Sequence, residues 1–460
     1  METSLRNDAR RDRWNLTMFI ISYVLNNLVS GVLYDTYVNY LQEVSVSIAT
    51  SFWAFYGYAT FISAAVLLLV PKTGYKKLLL FCAAACTSAL FCVVYLDWQF
   101  MLYATTLLAL TGVQLHYIML APYVAAYTAS AGKNNIDWYT RTYYMGYIGY
   151  FLTTYLGGVF VVKMFSLRAG VTYEAAKELT AYIADVSPAL KSAYIQGNED
   201  VLVVTGILAA LCIVPVLLIR EKKEDYASAA AEAEKDHRSL TEKGRDVVAV
   251  LFRKDAAIYL GYWTIISFAM GLFTSYYTVF LNRNLHIDKA TSSLLVSISY
   301  AAIVLFMLFT PMVVKKLGTV GTICFTVIGS VPFMLIIANG DAFGGAMIPA
   351  VGFALFMRAG LANLGSPAES ALSMSVVPAS LRPAYTSLVN FLAGFVSILS
   401  GTFTGKILFV TQEGYRTAYY IAAVLYLLAA CLLFFGLRKY NRAAEASGEP
   451  EAASGEEAQP

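Results

Sequence analysis

Asp35, His116, Arg358 and Glu369 lie inside long apolar stretches of the sequence. A charge at the centre of a bilayer costs at least about 2.5–3.5 kcal/mol, so such residues persist where they face a protein interior or a water-filled path. The chemistry open to them is proton carriage and recognition of charge. Asp35 is the first candidate for proton or cation coupling, because a carboxyl taken out of water can exchange its charge for a proton. Glu369 and His116 are further candidates; a neutral, hydrogen-bonded core histidine is the plainer alternative for His116. Arg358 keeps its charge at any accessible pH and therefore needs a partner. That partner is either Asp35 in one state or an anionic group on a bound solute. Arg358 and Glu369 are eleven residues apart, three helical turns, which places them on nearly the same face. A fixed ion pair that only holds helices together is the structural alternative for these groups.

Uncharged groups extend the set. Asn27, Gln114, Asn363 and Asn390 are polar residues in apolar segments and candidates for solute binding. Tyr143, Tyr147 and Tyr150, continued by Thr154, follow helical spacing and form one polar-aromatic stripe. A sugar or an aromatic solute could stack on such a wall and bond its hydroxyls; helix packing with satisfied hydroxyls is the alternative. Asn390, Gly394, Ser397 and Gly401 share a face whose small residues suggest close helix packing. The six cysteines all lie in apolar runs, and Cys82 and Cys86 lack a second ligand pair, so no metal site is expected. The sequence carries no phosphate-binding loop. No enzyme, no cofactor and no nucleotide-driven pump is expected.

The elements that must position these residues are spanning helices. The chain is 58% hydrophobic and 14% charged, against about 25% charged residues in soluble chains. No basic stripe interleaved with aromatics suggests nucleic acid. A span needs about 20 apolar residues. Twelve segments qualify: 14–41, 48–70, 77–96, 99–128, 139–163, 200–219, 256–281, 290–314, 319–338, 345–375, 384–410 and 416–437. With both termini on the same side, 24 lysines and arginines fall there and 8 on the other. That asymmetry places both termini in the cytoplasm of a bacterial-type plasma membrane. The organisation is a cytoplasmic N terminus (1–13), a six-helix bundle (14–219) with an outside loop (164–199), a cytoplasmic linker (220–255), a second bundle (256–437) and a disordered tail (438–460).

The two bundles are repeats. Gly31-Val-Leu-Tyr-Asp-Thr-Tyr-Val-Asn-Tyr-Leu-Gln42 aligns with Gly271-Leu-Phe-Thr-Ser-Tyr-Tyr-Thr-Val-Phe-Leu-Asn282, and Lys72-Thr-Gly74 with Lys316-Leu-Gly318. Pro122 matches Pro367, and Arg141 matches Arg382. Parallel repeats place a solute site between the halves near the midplane. The loop Pro71-Lys72-Thr73-Gly74-Tyr75-Lys76-Lys77 resembles the Gly-x-x-x-Asp-Arg-x-Gly-Arg-Arg/Lys pattern of the major facilitator superfamily. Lys72, Gly74, Lys76 and Lys77 fit it; Pro71 and Tyr75 depart from it. Asn27-x-x-x-Gly31 leading to Tyr40-Leu41 is similar to the family's first helix. The resemblance implies an all-α fold of twelve transmembrane helices in two pseudo-symmetric bundles, with spans one, four, seven and ten lining the cavity and the 72–77 loop serving in gating. It also implies a monomer that works in lipid and moves a small polar or anionic solute by alternating access. Coupled symport driven by a H+ or Na+ gradient is the expected mode. A proton-coupled efflux antiporter is the alternative, and a non-transporting membrane sensor a minor one.

Overall fold

A computed structural model describes residues 2–96, 98–128, 135–226, 240–378 and 381–441, and among them it is helical with no strand. Eleven helices are long and apolar enough to span a bilayer, and a twelfth, Phe52–Leu67, is apolar but shorter. In chain order they are α1 (Ala9–Val44), α2 (Phe52–Leu67), α3 (Tyr75–Tyr95), α4 (Gln99–Thr128), α5 (Arg141–Ala169) and α6 (Pro188–Leu218). The second half holds α7 (Lys254–Arg283), α8 (Lys289–Met307), α9 (Thr310–Ala338), α10 (Gly340–Ser375), α11 (Tyr385–Leu408) and α12 (Glu413–Tyr440). Residues 227–239 of the expected linker and 442–460 of the expected tail lie outside the described residues.

Backbone geometry repeats between the halves. The chain turns at Gly74 with φ 79° and ψ 169°, and at Gly318 with φ 73° and ψ 174°. Only glycine adopts that left-handed region freely, which explains why both positions of the repeat hold it. The first helix of each half is also interrupted at the same register. α1 breaks at Tyr34–Asp35, and α7 breaks at Leu272–Phe273 before a 3-10 turn over Thr274–Tyr276. Prolines end the second helices: Pro71 and Pro311 each open the short turn that follows. For this reason α8 stops at Met307, short of the expected 314.

One sequence boundary needs correction. Of the expected outside loop 164–199, residues up to Ala169 continue α5 and those from Pro188 belong to α6. Only a link carrying the short helix Tyr173–Ala181 remains between them. Ser187 caps α6, its hydroxyl accepting from the Leu190 N–H, and Pro188 occupies the first turn. Lys191, Asn198 and Glu199 depress the hydropathy of those turns, yet Asn198 is fully buried and Lys191 pairs with Glu43.

Glycine sets the contacts between halves. A Cβ on Gly401 of α11 would sit 2.0 Å from the Ala54 nitrogen of α2, and one on Gly57 would sit 2.6 Å from the Gly394 carbonyl. Spanning helices gain little from the hydrophobic effect in lipid, so backbone approach of this kind holds them together. The small-residue face of Gly394, Ser397 and Gly401 is thus a packing seam. The equivalent seam joins α5 to α8, where Gly158 meets Ser293.

Candidate functional site

A cavity of about 510 Å³ lies between the halves. Its walls come from α1, α2, α4 and α5 of the first half and α7, α8 and α10 of the second. Asp35, Ser275 and Thr278 lie toward the face that carries the 170–187 link, here the link face. Tyr143, near the start of α5, lies toward the opposite face, where the chain's early residues and α6's end meet. Tyr143 is 49% exposed, whereas Asp35 is 2% exposed, so the cavity opens toward the terminus face and is closed at the link face.

The closure is polar. Lys289 Nζ donates to Asp35 Oδ2 at 2.7 Å, and Ser293 Oγ donates to the same oxygen at 2.9 Å. Farther out, Arg283 and Glu43 form an ion pair that Lys191 joins at 3.2 Å. Asn39 Nδ2 donates to Thr278 Oγ1 at 2.8 Å, and Tyr276 Oη to the Thr50 carbonyl at 2.9 Å. Except for the Lys191 contact, each of these links joins one half to the other. The break in α1 falls at Asp35 itself, which precedes the helical segment Thr36–Val44.

Lys289 lies one residue before the expected span 290–314 and so falls among the eight lysines and arginines counted on the second side. It is fully buried. It follows Asp288, whose carboxylate caps α8 by accepting from the Thr291 N–H. The residue is therefore the first of a span, where hydropathy averaging merges it with the loop. Its pairing also displaces Arg358 as the counter-ion of Asp35 in this state.

Arg358 lines the cavity at 4% exposure. Its Nη1 donates to Tyr277 Oη at 2.8 Å and its Nη2 to Tyr426 Oη at 2.9 Å. The guanidinium lies over the Phe273 ring, 4.7 Å from its centroid. Among the described residues no carboxylate pairs with it, and its Nε has no partner.

The remaining candidates divide. Asn27, Gln114, Asn363, Tyr143, Tyr147 and Tyr150 all line the cavity. Asn27 accepts from Tyr117 Oη at 3.0 Å, and Gln114 Nε2 donates to Tyr34 Oη at 3.0 Å. Asn363 is turned back onto its own helix, donating to the Ala359 carbonyl. Thr154 leaves the stripe to donate to the Gly31 carbonyl at 3.3 Å. Asn390 is exposed on α11 and does not line the cavity. His116 is buried against Phe19 and Tyr23, with Ser22 Oγ 3.4 Å from Nε2, and is likewise away from the lining. Glu369 accepts from Tyr262 Oη and sits outside the lining. Glu369 follows a one-residue interruption at Gly365 and lies eleven residues beyond Arg358, roughly 16 Å farther along the helix axis.

Sequence reasoning missed much of the aromatic wall: Tyr34, Trp53, Tyr56, Tyr277 and Tyr300. Tyr300 and Tyr150 meet across the halves at 4.4 Å between ring centroids, and Trp53 stacks on Tyr56 at 4.3 Å. Tyr34 and Tyr277 fall in the aligned repeat segments, which was the signal available for them.

The loop residues lie at the terminus face. Gly74 allows the chain to start α3 against Glu221, whose carboxylate accepts from the Tyr75 N–H at 2.7 Å and from the Lys76 N–H. Lys76 Nζ donates to the Leu217 and Ile219 carbonyls at the end of α6. Lys72 and Lys77 are exposed. The acid absent from the loop itself is thus supplied by the chain just after α6. Burial pushes the Glu221 carboxyl up, against the pull of the two N–H donors.

The family model described as Major Facilitator Superfamily matches residues 263–457, and the MFS_1 like family matches residues 132–340. No curated protein matches the chain in sequence. Among solved structures, the nucleoside transporter NupG superposes with a TM-score of 0.68 at 15% identity, covering 93% of this chain and 99% of that one. The partially occluded inward-open xylose transporter XylE from E. coli gives 0.60 at 14% identity, covering 92% and 98%. A peptide transporter POT in complex with sulfate gives 0.61 at 11% identity, covering 93% and 95%.

Proposed function

We propose that the chain is a transporter of the major facilitator superfamily and, within it, a proton-coupled symporter of a small polar or anionic solute. One observation carries the coupling: the Lys289–Asp35 pair ties the two halves together at the closed end of the cavity, while Asp35 itself lines that cavity. Asp35 Oδ1 has no hydrogen-bond partner among the described residues. Oδ1 can therefore take a proton without the lysine contact at Oδ2 first being broken. Protonation removes the charge that holds Lys289, and a buried ion pair that loses one charge becomes costly rather than stabilising. The halves then separate at that end. Entry of the proton and reopening are linked in this way to the alternation of the cavity.

The excess of lysines and arginines on the terminus side supports a cytoplasmic location for both termini in a plasma membrane. In that orientation the cavity described above faces inward. Asn27, Gln114, Tyr143, Tyr147 and Tyr150 supply solute-binding groups, and the Lys72–Lys77 loop works at the inner end. A single lipid-embedded chain suffices for this cycle, since both halves of the site belong to it.

The test is transport in proteoliposomes with and without an imposed pH gradient. Asp35→Asn should abolish proton-driven accumulation and spare solute exchange. Equal loss of both activities would remove Asp35 from coupling. Accumulation driven by a Na+ gradient and indifferent to pH would replace the proton as the coupling ion.

A further inference from the structure

Resting on the transporter reading above, we infer that the cargo is a ring-bearing organic monoanion, a carboxylate on a sugar or aromatic ring, with Arg358 as its anchor. The argument starts from charge. Two ionised side chains line the cavity, Asp35 and Arg358. Asp35 is neutralised by Lys289 at 2.7 Å. Arg358 has hydroxyls and a ring for company and no acid among the described residues. The wall thus holds one uncompensated positive charge at 4% exposure.

Such a charge is expensive. Burying an ion is costly even after relaxation, and the face of one phenyl ring offsets only a small part of that cost. Two tyrosine hydroxyls satisfy two of the five N–H donors without cancelling the charge. An anion entering the cavity would supply what the protein lacks. The Nε of Arg358, itself buried, has no partner among the described residues, so the protein leaves the guanidinium incompletely satisfied. Tyr277, which lines the cavity, accepts from Arg358 and so keeps its own O–H to donate. Guanidinium and hydroxyl together present the donors that a carboxylate accepts.

The charge number follows from the same balance. A monoanion brings the lining to neutrality. A phosphate monoester carries close to two negative charges at neutral pH, and the second has no cation to meet while Lys289 remains with Asp35. The ring requirement comes from the opposite wall. Tyr150 lies between Tyr34 and Tyr300, with centroids at 6.2 Å and 4.4 Å, and Trp53 and Tyr56 stack nearby. Such faces favour flat or pyranose rings over open chains. A cavity of about 510 Å³ holds a single small molecule.

The experiment measures binding to the purified full-length chain with matched probes: glucuronate against glucose, 4-hydroxybenzoate against 4-hydroxybenzamide, and glucose 6-phosphate as the dianion. At least one acid should bind about tenfold or more tighter than its neutral twin and than the phosphate. Arg358→Gln should bring the twins within about twofold of each other, with Arg358→Lys between, since lysine keeps charge and loses the planar fork. The wild-type comparison of twins needs no variant and stands if Arg358→Gln misfolds. Equal binding of twins, tighter binding of the phosphate, or no binding by any acid overturns the inference. A neutral solute transported in an Asp35-dependent way would sink the anion site and leave the symporter intact. An acid that binds through Arg358 yet is never moved under any gradient would do the reverse.

Discussion

The two halves share a backbone and divide the charges. Both first helices break at one register, both loops turn on a glycine with the same dihedral angles, and both second helices end before a proline. The ionised groups are not repeated. At the closed end of the cavity the first half supplies the acids Asp35 and Glu43 and the second their partners Lys289 and Arg283, with Arg358 deeper in the wall; farther out, Lys177 and Asp288 pair in the opposite sense at 3.9 Å. Glu43 and Arg283 are 240 residues apart, the repeat offset, and they bond to each other; Asn39 and Thr278, 239 apart, do nearly the same. Residues related by a two-fold axis meet when they lie on it, so divergence at axial positions converts an internal symmetry into a complementary lock. A strictly symmetric ancestor of this site would face like against like.

The largest effect expected from breaking this complementarity is at Lys289. Removing one member of a buried pair costs about 3–5 kcal/mol, against the closed form in this case. That is more than a hundredfold in the balance between states. Lys289→Ala should therefore expose the link end of the cavity. The measurement is alkylation of Ser275→Cys by an impermeant maleimide, compared with the chain that keeps Ser275. Adding Asp35→Asn should reverse most of the change. Unaltered labelling would mean that the pair does not hold the halves together.

Next in size is the axial pair. Glu43→Arg and Arg283→Glu should each lower uptake about tenfold, at roughly 1.4 kcal/mol per decade. The double swap should recover part of it. Recovery is incomplete because Lys191 stays beside position 43. A double variant no better than either single would break the comparison of the halves at this point.

The seams rank third. Gly401→Ala places a methyl 2.0 Å from the Ala54 nitrogen, where backbone cannot yield. Overpacking of this kind costs about 1–3 kcal/mol. Gly158→Ala meets the Ser293 side chain, which can rotate, so its cost should be smaller in thermal unfolding. Equal shifts in melting temperature would show that the seams are alike after all.

These particulars also show what the sequence makes legible. The spans, the repeat and the cavity residues Asp35, Arg358, Asn27, Gln114 and the Tyr143–Tyr150 stripe follow from apolar length, spacing and the rarity of charge in lipid. Lys289 does not, because one residue decides whether a cation ends a loop or begins a buried turn. Glu369 does not, because spacing gives its face but not how far along the helix the cavity reaches. The first turns of α6 do not, because polar residues such as the buried Asn198 read like a loop. In each case the missing information is tertiary.

The smallest effect is at the terminus face, where the halves again use the same geometry with different chemistry. Glu221 receives the N–H groups that follow Gly74, and Asn441 receives the Gly321 N–H after Gly318. A charged cap gains from the helix dipole, by about 0.3–1 kcal/mol. Here burial works against that gain, and the carboxyl is pushed up from its ordinary range. Glu221→Gln, which keeps an acceptor and drops the charge, should therefore shift stability by less than about 1 kcal/mol. The sign with pH follows from the direction of the shift. An acid whose folded-state pKa is raised binds protons more readily when folded, so its stability contribution grows as pH falls. On acidification from neutral pH, wild type should gain on Glu221→Gln in thermal unfolding, while Asn441→Ala runs parallel to wild type. A gap that widens in favour of Gln on acidification would mean that the N–H donors outweigh burial, and that the first half's cap is held by its charge.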